Sequence, residues 1–286
     1  MPRQHIDQLI EPVLDHIEDT DAGPLAKGLP TGFGGLDLMT LGLHPGHLAV
    51  IASRPSMGRS TLLTSICQTV ALRNAVPTLA ITLEETAAEF STRMLSAAAR
   101  VAHHHLRAGE LTDEDWTRLA RGMVELHHAP LQVCADTSLT MAELAATARE
   151  AVAEDGVKFI AVDGLTDIKP EKRHDLRERE VGDVARDLKT LARELNVPIL
   201  ATTHLNRIPE SRPGKIPKLD DLRESGAVTF AADWIVLLYR PDYYDRESPR
   251  AGEIDLIMAK NRFGPLGYQT AAVQFHYCRV VEMAQS

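Results

Sequence analysis

Residues 48–73, LAVIASRPSMGRSTLLTSICQTVALR, decide the fold. Leu48 to Ala52 form an unbroken apolar run, the pattern of a buried strand, and Ser60 to Arg73 carry leucine, isoleucine, valine and alanine at helical spacing. A tight turn lies between them. Strand, turn and helix start in that order make a phosphate cradle, because the N–H groups of the turn and the positive end of the helix dipole converge on one point. The Walker A pattern asks for glycine, four residues, then Gly-Lys-Ser/Thr. Here it reads Ser53-Arg54-Pro55-Ser56-Met57-Gly58-Arg59-Ser60, so the first glycine and the lysine both depart from it. The expected nucleotide contacts are Ser53, Pro55, Ser56, Met57, Gly58, Arg59, Ser60 and Thr61.

With 286 residues, 44% of them hydrophobic, the chain can bury a full core and reads as one domain with a short appendage. No run approaches membrane-spanning length and the start lacks a signal-peptide layout, so a cytoplasmic protein with no membrane partner is expected. Cys67, Cys134 and Cys278 are far apart and odd in number, which suits reduced thiols. A net charge of −9 argues against a globally basic nucleic-acid coat, although charge can still be sorted locally.

Residues 1–20 place Ile6, Leu9, Ile10, Val13, Leu14 and Ile17 on one helical face. This stripe must pack on its own domain or on a neighbouring subunit. A loose linker, 21–27, follows. Residues 28–46 are glycine-rich and read as turns. After the P-loop helix come a strand, TLAITL, ending at Glu84 and Glu85, a helix over 86–102, and a second helix opened by Thr112, Asp113 and Glu114. LQVCAD is a short strand, 140–154 a helix, FIAVD a buried strand ending in Asp163, and 180–195 a helix. VPILATTHLNR is a strand ending near His204. DWIVLLYR, IDLIMAK and a terminal hairpin complete the chain. This order predicts an α/β domain over 28–286, with a mostly parallel sheet, helices on both faces and an antiparallel C-terminal edge.

In open α/β sheets, ligands bind beyond the carboxyl ends of the strands. Asp163, after four apolar residues, is a Walker B candidate that would hold Mg²⁺ opposite Ser60. Glu84 is the candidate base for an attacking water, with Glu85 read as a solvated capping charge. His204 is either a structural histidine or a contact to the γ-phosphate. Residues 169–179 hold five Lys/Arg against three acids, and 207–218 hold four against one. Each run is either a solvated face or a sequence-blind grip on a nucleic-acid backbone through Lys172, Arg173, Arg177, Arg207, Arg212 and Lys215. Lys260 and Arg262, beside a glycine turn, are either a basic turn or an arginine finger offered to a neighbouring protomer.

Taken together, these blocks resemble the C-terminal RecA-like motor domain of DnaB-type replicative helicases. The carriers are GLPTGFGGLD, SRPSMGRS, TLEE, LRAGELTDEDW, FIAVD, LARELNVPILATTHLNR, DLRESG, ADWIVLLYR and KNRFGPLG, from Gly28 onward. The resemblance implies ATP and Mg²⁺ bound by Gly58, Arg59, Ser60 and Asp163, catalysis by Glu84, and Lys260 and Arg262 completing a neighbour's site. It further implies Arg240 near the base, single-stranded DNA gripped by the two basic loops, and residues 5–18 docked on an adjacent subunit of a ring, a hexamer, that works with other replication proteins. The expected activity is ATP-driven helicase or translocase movement. The alternative is a weakly hydrolysing paralogue with a regulatory or assembly role, because the family's P-loop lysine is Arg59, its glutamine is His204, the aromatic after Asp163 is Gly164, and the N-terminal collar has no counterpart.

Overall fold

The computed structural model describes residues 5, 6, 8, 10, 11, 14, 15, 28–171 and 174–283, with 223–225 described as backbone. Strands β1 (Leu48–Ser53), β2 (Thr78–Thr82), β3 (Leu131–Ala135), β4 (Phe159–Asp163), β5 (Ile199–His204), β6 (Trp234–Tyr239), β7 (Glu253–Asn261), β8 (Gly267–Gln274) and β9 (Arg279–Glu282) form a nine-stranded sheet. Its order is β3-β2-β4-β5-β1-β6-β7-β8-β9. The first six strands in that order are parallel and the last three join antiparallel. The expected mixed α/β sheet is the observed one.

β1 lies in the middle and its side chains alternate between two cores. Leu48, Val50 and Ala52 pack under the helices Met141–Glu154 and Arg177–Leu195. Ala49 and Ile51 join Leu62, Ile66 and Val70 of the P-loop helix on the other face. A strand buried on both faces has no polar alternation, which is why it reads as a continuous apolar run. The chain leaves β1 toward β2, past β5 and β4, while β6 pairs on the other side. The P-loop therefore opens at the point where strand order reverses, the usual crevice of such sheets.

Three helices begin in capping boxes, Thr86 with Glu89, Thr112 with Asp115 and Thr140 with Glu143, so each threonine hydroxyl accepts an N–H that the first turn leaves free. The sequence boundaries differ in four places. The helix of 60–73 is α-helical over Arg59–Cys67 and then widens to a π-helix over Gln68–Arg73. The helix of 86–102 stops at Ala99, because Arg100 turns left-handed, and a separate helix, His103–Ala108, follows. Within 28–46 the turns enclose a helix, Gly34–Thr40. The helix expected from 180 starts three residues earlier, at Arg177.

Of the N-terminal stripe, Ile6, Ile10 and Leu14 are described and each is exposed. Leu9, Val13 and Ile17 and the linker 21–27 lie outside the described residues.

Helices Ala87–Ala99 and Asp113–His127 touch through Gly122, where a Cβ would stand 2.9 Å from both the Ala99 methyl and the Ala99 backbone nitrogen. Backbone cannot yield as a side-chain tip does. Gly122→Ala is expected to destabilise the chain by about 1–3 kcal/mol, read as a lower midpoint of urea unfolding. An unchanged midpoint would show that the two helices separate freely.

Candidate nucleotide site

The carboxyl ends of β1, β2, β4, β5 and β6 open on one edge. After β1, Ser56 takes a positive φ of 62° and Gly58 one of 98°, and the helix starts at Arg59. Leu62 donates the first intrahelical bond, to Gly58 O at 2.9 Å. The N–H groups of the first turn therefore have no helical acceptor and face outward as a cradle. Gly58 is required on a second count: a Cβ there would lie 2.7 Å from the Phe275 ring.

Arg59 is 6% exposed and its guanidinium reaches across the cleft. Nη1 lies 2.8 Å from His204 Nδ1, and Nη2 donates to Glu84 Oε1 in an ion pair. Nε is buried with no hydrogen-bond partner. A buried unpartnered donor costs about 1–3 kcal/mol, and a phosphate oxygen in the cradle would satisfy it. Burial, reinforced by the positive charges of Arg59 and Arg54, pushes the His204 imidazole down to about 4, so it is neutral at physiological pH. A guanidinium only donates, and a neutral imidazole has one acceptor nitrogen. The shorter contact, at 2.8 Å, puts the acceptor at Nδ1 and the proton on Nε2, which lies 3.1 Å from Arg59 Nη2 and 3.6 Å from Glu84 Oε1.

Burial raises the Glu84 carboxyl, with Asp163 and Asp167 adding to the rise and Arg59 opposing it. A raised carboxyl is a better proton acceptor in a hydrolytic step. Asp163 is buried at the end of β4 and Thr202 Oγ1 donates to its Oδ1 at 2.6 Å. Gly164, at φ 103°, leaves room for its neighbours, since a Cβ would meet Asp167 Oδ2 at 2.8 Å and Glu84 Cγ at 3.2 Å. Ser60, at the helix start, and Asp163 supply hard oxygen donors of the kind Mg²⁺ takes beside phosphate and water.

A cavity of about 430 Å³ joins the P-loop to Glu84, His204, Arg240 and Phe275. Arg240 makes two 3.0 Å bonds to Asp242, donates to Ser56 O at 3.2 Å and stacks on Phe275 at 4.3 Å. Phe275, which sequence reasoning placed only within a hairpin, thus forms a wall of the site. Met57 turns the other way, into the core. A larger cavity, about 860 Å³, lies beside Arg73, Arg100 and Arg279 and holds no P-loop residue. The chemistry selects the smaller one.

Lys260 and Arg262 sit at the opposite edge. Lys260 pairs with Ile235 near the start of β6, and its ammonium caps the helix Gly226–Ala231 through Thr229 O, at 2.6 Å, and Ala232 O. Arg262 is 61% exposed, with Nη1 3.8 Å from Asp233 Oδ1. Asp233 is buried, and its other oxygen accepts from Leu48 N at 2.8 Å and Lys189 Nζ at 2.6 Å. β1 alone separates that edge from the P-loop by roughly 17–20 Å at ~3.3 Å per residue.

Of the basic loops, Arg207 is exposed, and Lys215 lies 4.6 Å over the Tyr244 ring. Arg177 bonds Glu180 and Thr166 O. Arg212 is held bidentately by Asp221, both contacts at 2.9 Å, so it braces the loop from within. Lys172 and Arg173 lie outside the described residues. Arg54, unnoticed in the sequence because nothing local marks it, ties the P-loop to this loop through Leu205 O at 2.8 Å and Glu210 at 2.9 Å. Glu85, read as a solvated charge, is instead largely buried against Arg93.

Cradle, buried aspartate and strand order define a P-loop nucleotide-binding domain of RecA-like type. The model of the DnaB-like helicase C-terminal domain matches residues 28–282, and the chain belongs to that family. It is 41% identical over 257 residues to the replicative DNA helicase DnaB of Leifsonia xyli subsp. xyli, covering 90% of this chain and 56% of that protein. To the replicative DNA helicase DnaC of Bacillus subtilis it is 35% identical, covering 98% of this chain and 62% of that one. The chain thus spans less than two thirds of the length of these relatives. One solved ATPase domain superposes with a TM-score of 0.94 at 30% identity, covering 99% of this chain and all of that one. A DnaB-like replicative helicase, solved in a study of its interactions with primase, gives 0.90 at 30% identity over 99% of this chain and 68% of that one.

Two outcomes follow from this geometry. Phe275→Ala removes the ring under Arg240, and nucleotide affinity should fall roughly tenfold in a fluorescent-nucleotide titration; unchanged affinity would place the base elsewhere. Burial outweighs Arg93 and raises Glu85 from its ordinary 4.5 to about 7, so the folded state holds this proton more tightly than the unfolded chain. The stability it lends is complete below about pH 4.5 and is lost as pH rises through 7. Glu85→Gln should therefore flatten the melting temperature between pH 5 and 8, and an unaltered slope would count against that burial effect.

Proposed function

We propose that this chain is the motor portion of a DnaB-type replicative helicase, hydrolysing ATP between subunits of a ring, a hexamer, to move along single-stranded DNA. The observation that carries the reading is the division of the chemistry between two edges. Arg59, Glu84, Asp163 and His204 gather at the carboxyl edge, whereas Lys260 and Arg262 occupy the other. A head-to-tail neighbour is what could bring such an edge to a P-loop, and repeated head-to-tail contacts close into a ring.

Bound ATP with Mg²⁺ supplies the transferable phosphoryl group and a neutralised phosphate chain. The first-turn N–H groups and Arg59 hold the phosphates. Ser60, and Asp163 through water, would hold the metal, and Glu84 would take the proton of the attacking water. Arg262 and Lys260 offer positive charge to the neighbour's γ-phosphate, which requires Lys260 to leave the carbonyls it caps. Arg240 and Phe275 flank the base. Arg177, Arg207 and Lys215, with Lys172 and Arg173, give the DNA backbone its cations, and Arg212 shapes the loop that presents them. The contact from Arg54 to Leu205 and Glu210 supports transmission from the P-loop to that loop.

A second reading, a slow or regulatory ATPase, is favoured by one observation: Arg59 already occupies the carboxylate of Glu84. Phosphate release measured with and without single-stranded DNA separates the two. A motor should accelerate severalfold with DNA, and Glu84→Gln should lower release by about 10²-fold or more while leaving nucleotide affinity within about threefold. Hydrolysis undiminished in Glu84→Gln would refute its role, and a rate indifferent to DNA would select the second reading. Mixed rings of Arg262→Ala and Glu84→Gln protomers should recover part of the rate, because each supplies what the other lacks; no recovery in verified mixed rings would deny action across the interface.

A further inference from the structure

A guanidinium at the P-loop lysine position needs acceptors that an ammonium does not. It is planar, its donors form a fixed fork, and it is too wide to slip between phosphates as lysine does. In this chain the fork is held between two side chains. Nη2 meets Glu84 and lies 3.1 Å from His204 Nε2, Nη1 meets His204 Nδ1 at 2.8 Å, and Nε is buried and unpartnered on a residue that lines the P-loop cavity. β5 pairs with β1 so that Ser53 and His204 are register partners, which fixes the imidazole across from the loop that carries Arg59.

We propose that His204 is a positioning residue for Arg59: the imidazole accepts from Nη1 and holds the guanidinium so that Nε faces the phosphates, and the two residues act as one unit. This rests on the reading of the site as a nucleotide pocket. Two features support it beyond the contact itself. Arg59, Arg54, Glu84 and Asp163 face His204, and burial, helped by the two arginines and opposed by Asp163, keeps the ring neutral and able to accept. Gly164 leaves room for Glu84, the other partner of the guanidinium, since a Cβ there would crowd Glu84 Cγ at 3.2 Å. Arginine for lysine and histidine for glutamine are then one coupled exchange, and reverting either alone leaves a mismatch.

The test is a double-mutant cycle on the whole chain, with a fluorescent ATP analogue for binding and steady-state ATP hydrolysis for KM and kcat. His204→Gln alone should weaken binding about tenfold and raise KM with it. Made in the Arg59→Lys background, the same change should cost less than about threefold or improve binding. The same factor in both backgrounds overturns the proposal. A second pair guards against misfolding. His204→Asn, whose amide oxygen stands where Nδ1 does, as that of the longer Gln does not, should retain binding within about threefold, whereas His204→Leu, which has no acceptor, should lose about tenfold. Equal losses in the two overturn it as well. If the unmodified chain binds no nucleotide, the functional reading falls and the pair with it; intact binding with equal factors removes the pair alone.

Discussion

The guanidinium of Arg59 is the contact on which the rest of the site depends. It bridges the ends of two strands, joining Glu84 after β2 to His204 at the end of β5. One charge thereby bears on two neighbours. It opposes the rise of Glu84 and, together with burial, holds His204 neutral, while its own Nε is left in want of an oxygen. Lysine in that place would be a point charge free to follow phosphate. Arginine is held by its own chain, so nucleotide must compete with Glu84 for it.

On the proposed function the two edges of the sheet would carry separate halves of one reaction site. At the carboxyl edge, burial and the neighbouring carboxylates raise Glu84, as a base would need. At the other edge Asp233 stitches the start of β1, Lys189 and the turn that carries Arg262, whose backbone N–H donates to Asp233 O at 2.8 Å. His47 stacks on Phe263 of the same turn at 4.8 Å. Arg262 therefore stands on a braced support with its guanidinium exposed, which suits the role proposed for it. Arg54 gives the carboxyl edge a comparable link, to the loop after β5.

The sheet was legible because its central strands are buried on both faces and read as largely apolar runs with a polar residue at the end or just past it: Ser53, Glu84, Asp163 and His204. Those ends meet as the pattern requires. Other features left no local mark. Phe275 reaches the pocket only because β8 and β9 fold the C-terminus over Gly58, a contact across more than two hundred residues. Arg212 looks like any loop cation until Asp221 is found opposite it. Lys260 has the sequence of a finger, yet in the isolated chain its ammonium caps a helix. Charge was visible in sequence, but the partner that takes it up was not.

The most direct measurement is a structure of the chain with a non-hydrolysable ATP analogue and Mg²⁺. The account predicts the analogue's phosphates in the Gly58 cradle, with Arg59 off Glu84, Nε about 3 Å from a phosphate oxygen and Nη1 still on His204. An Arg59 that keeps its bond to Glu84 while the phosphates lie elsewhere would contradict it.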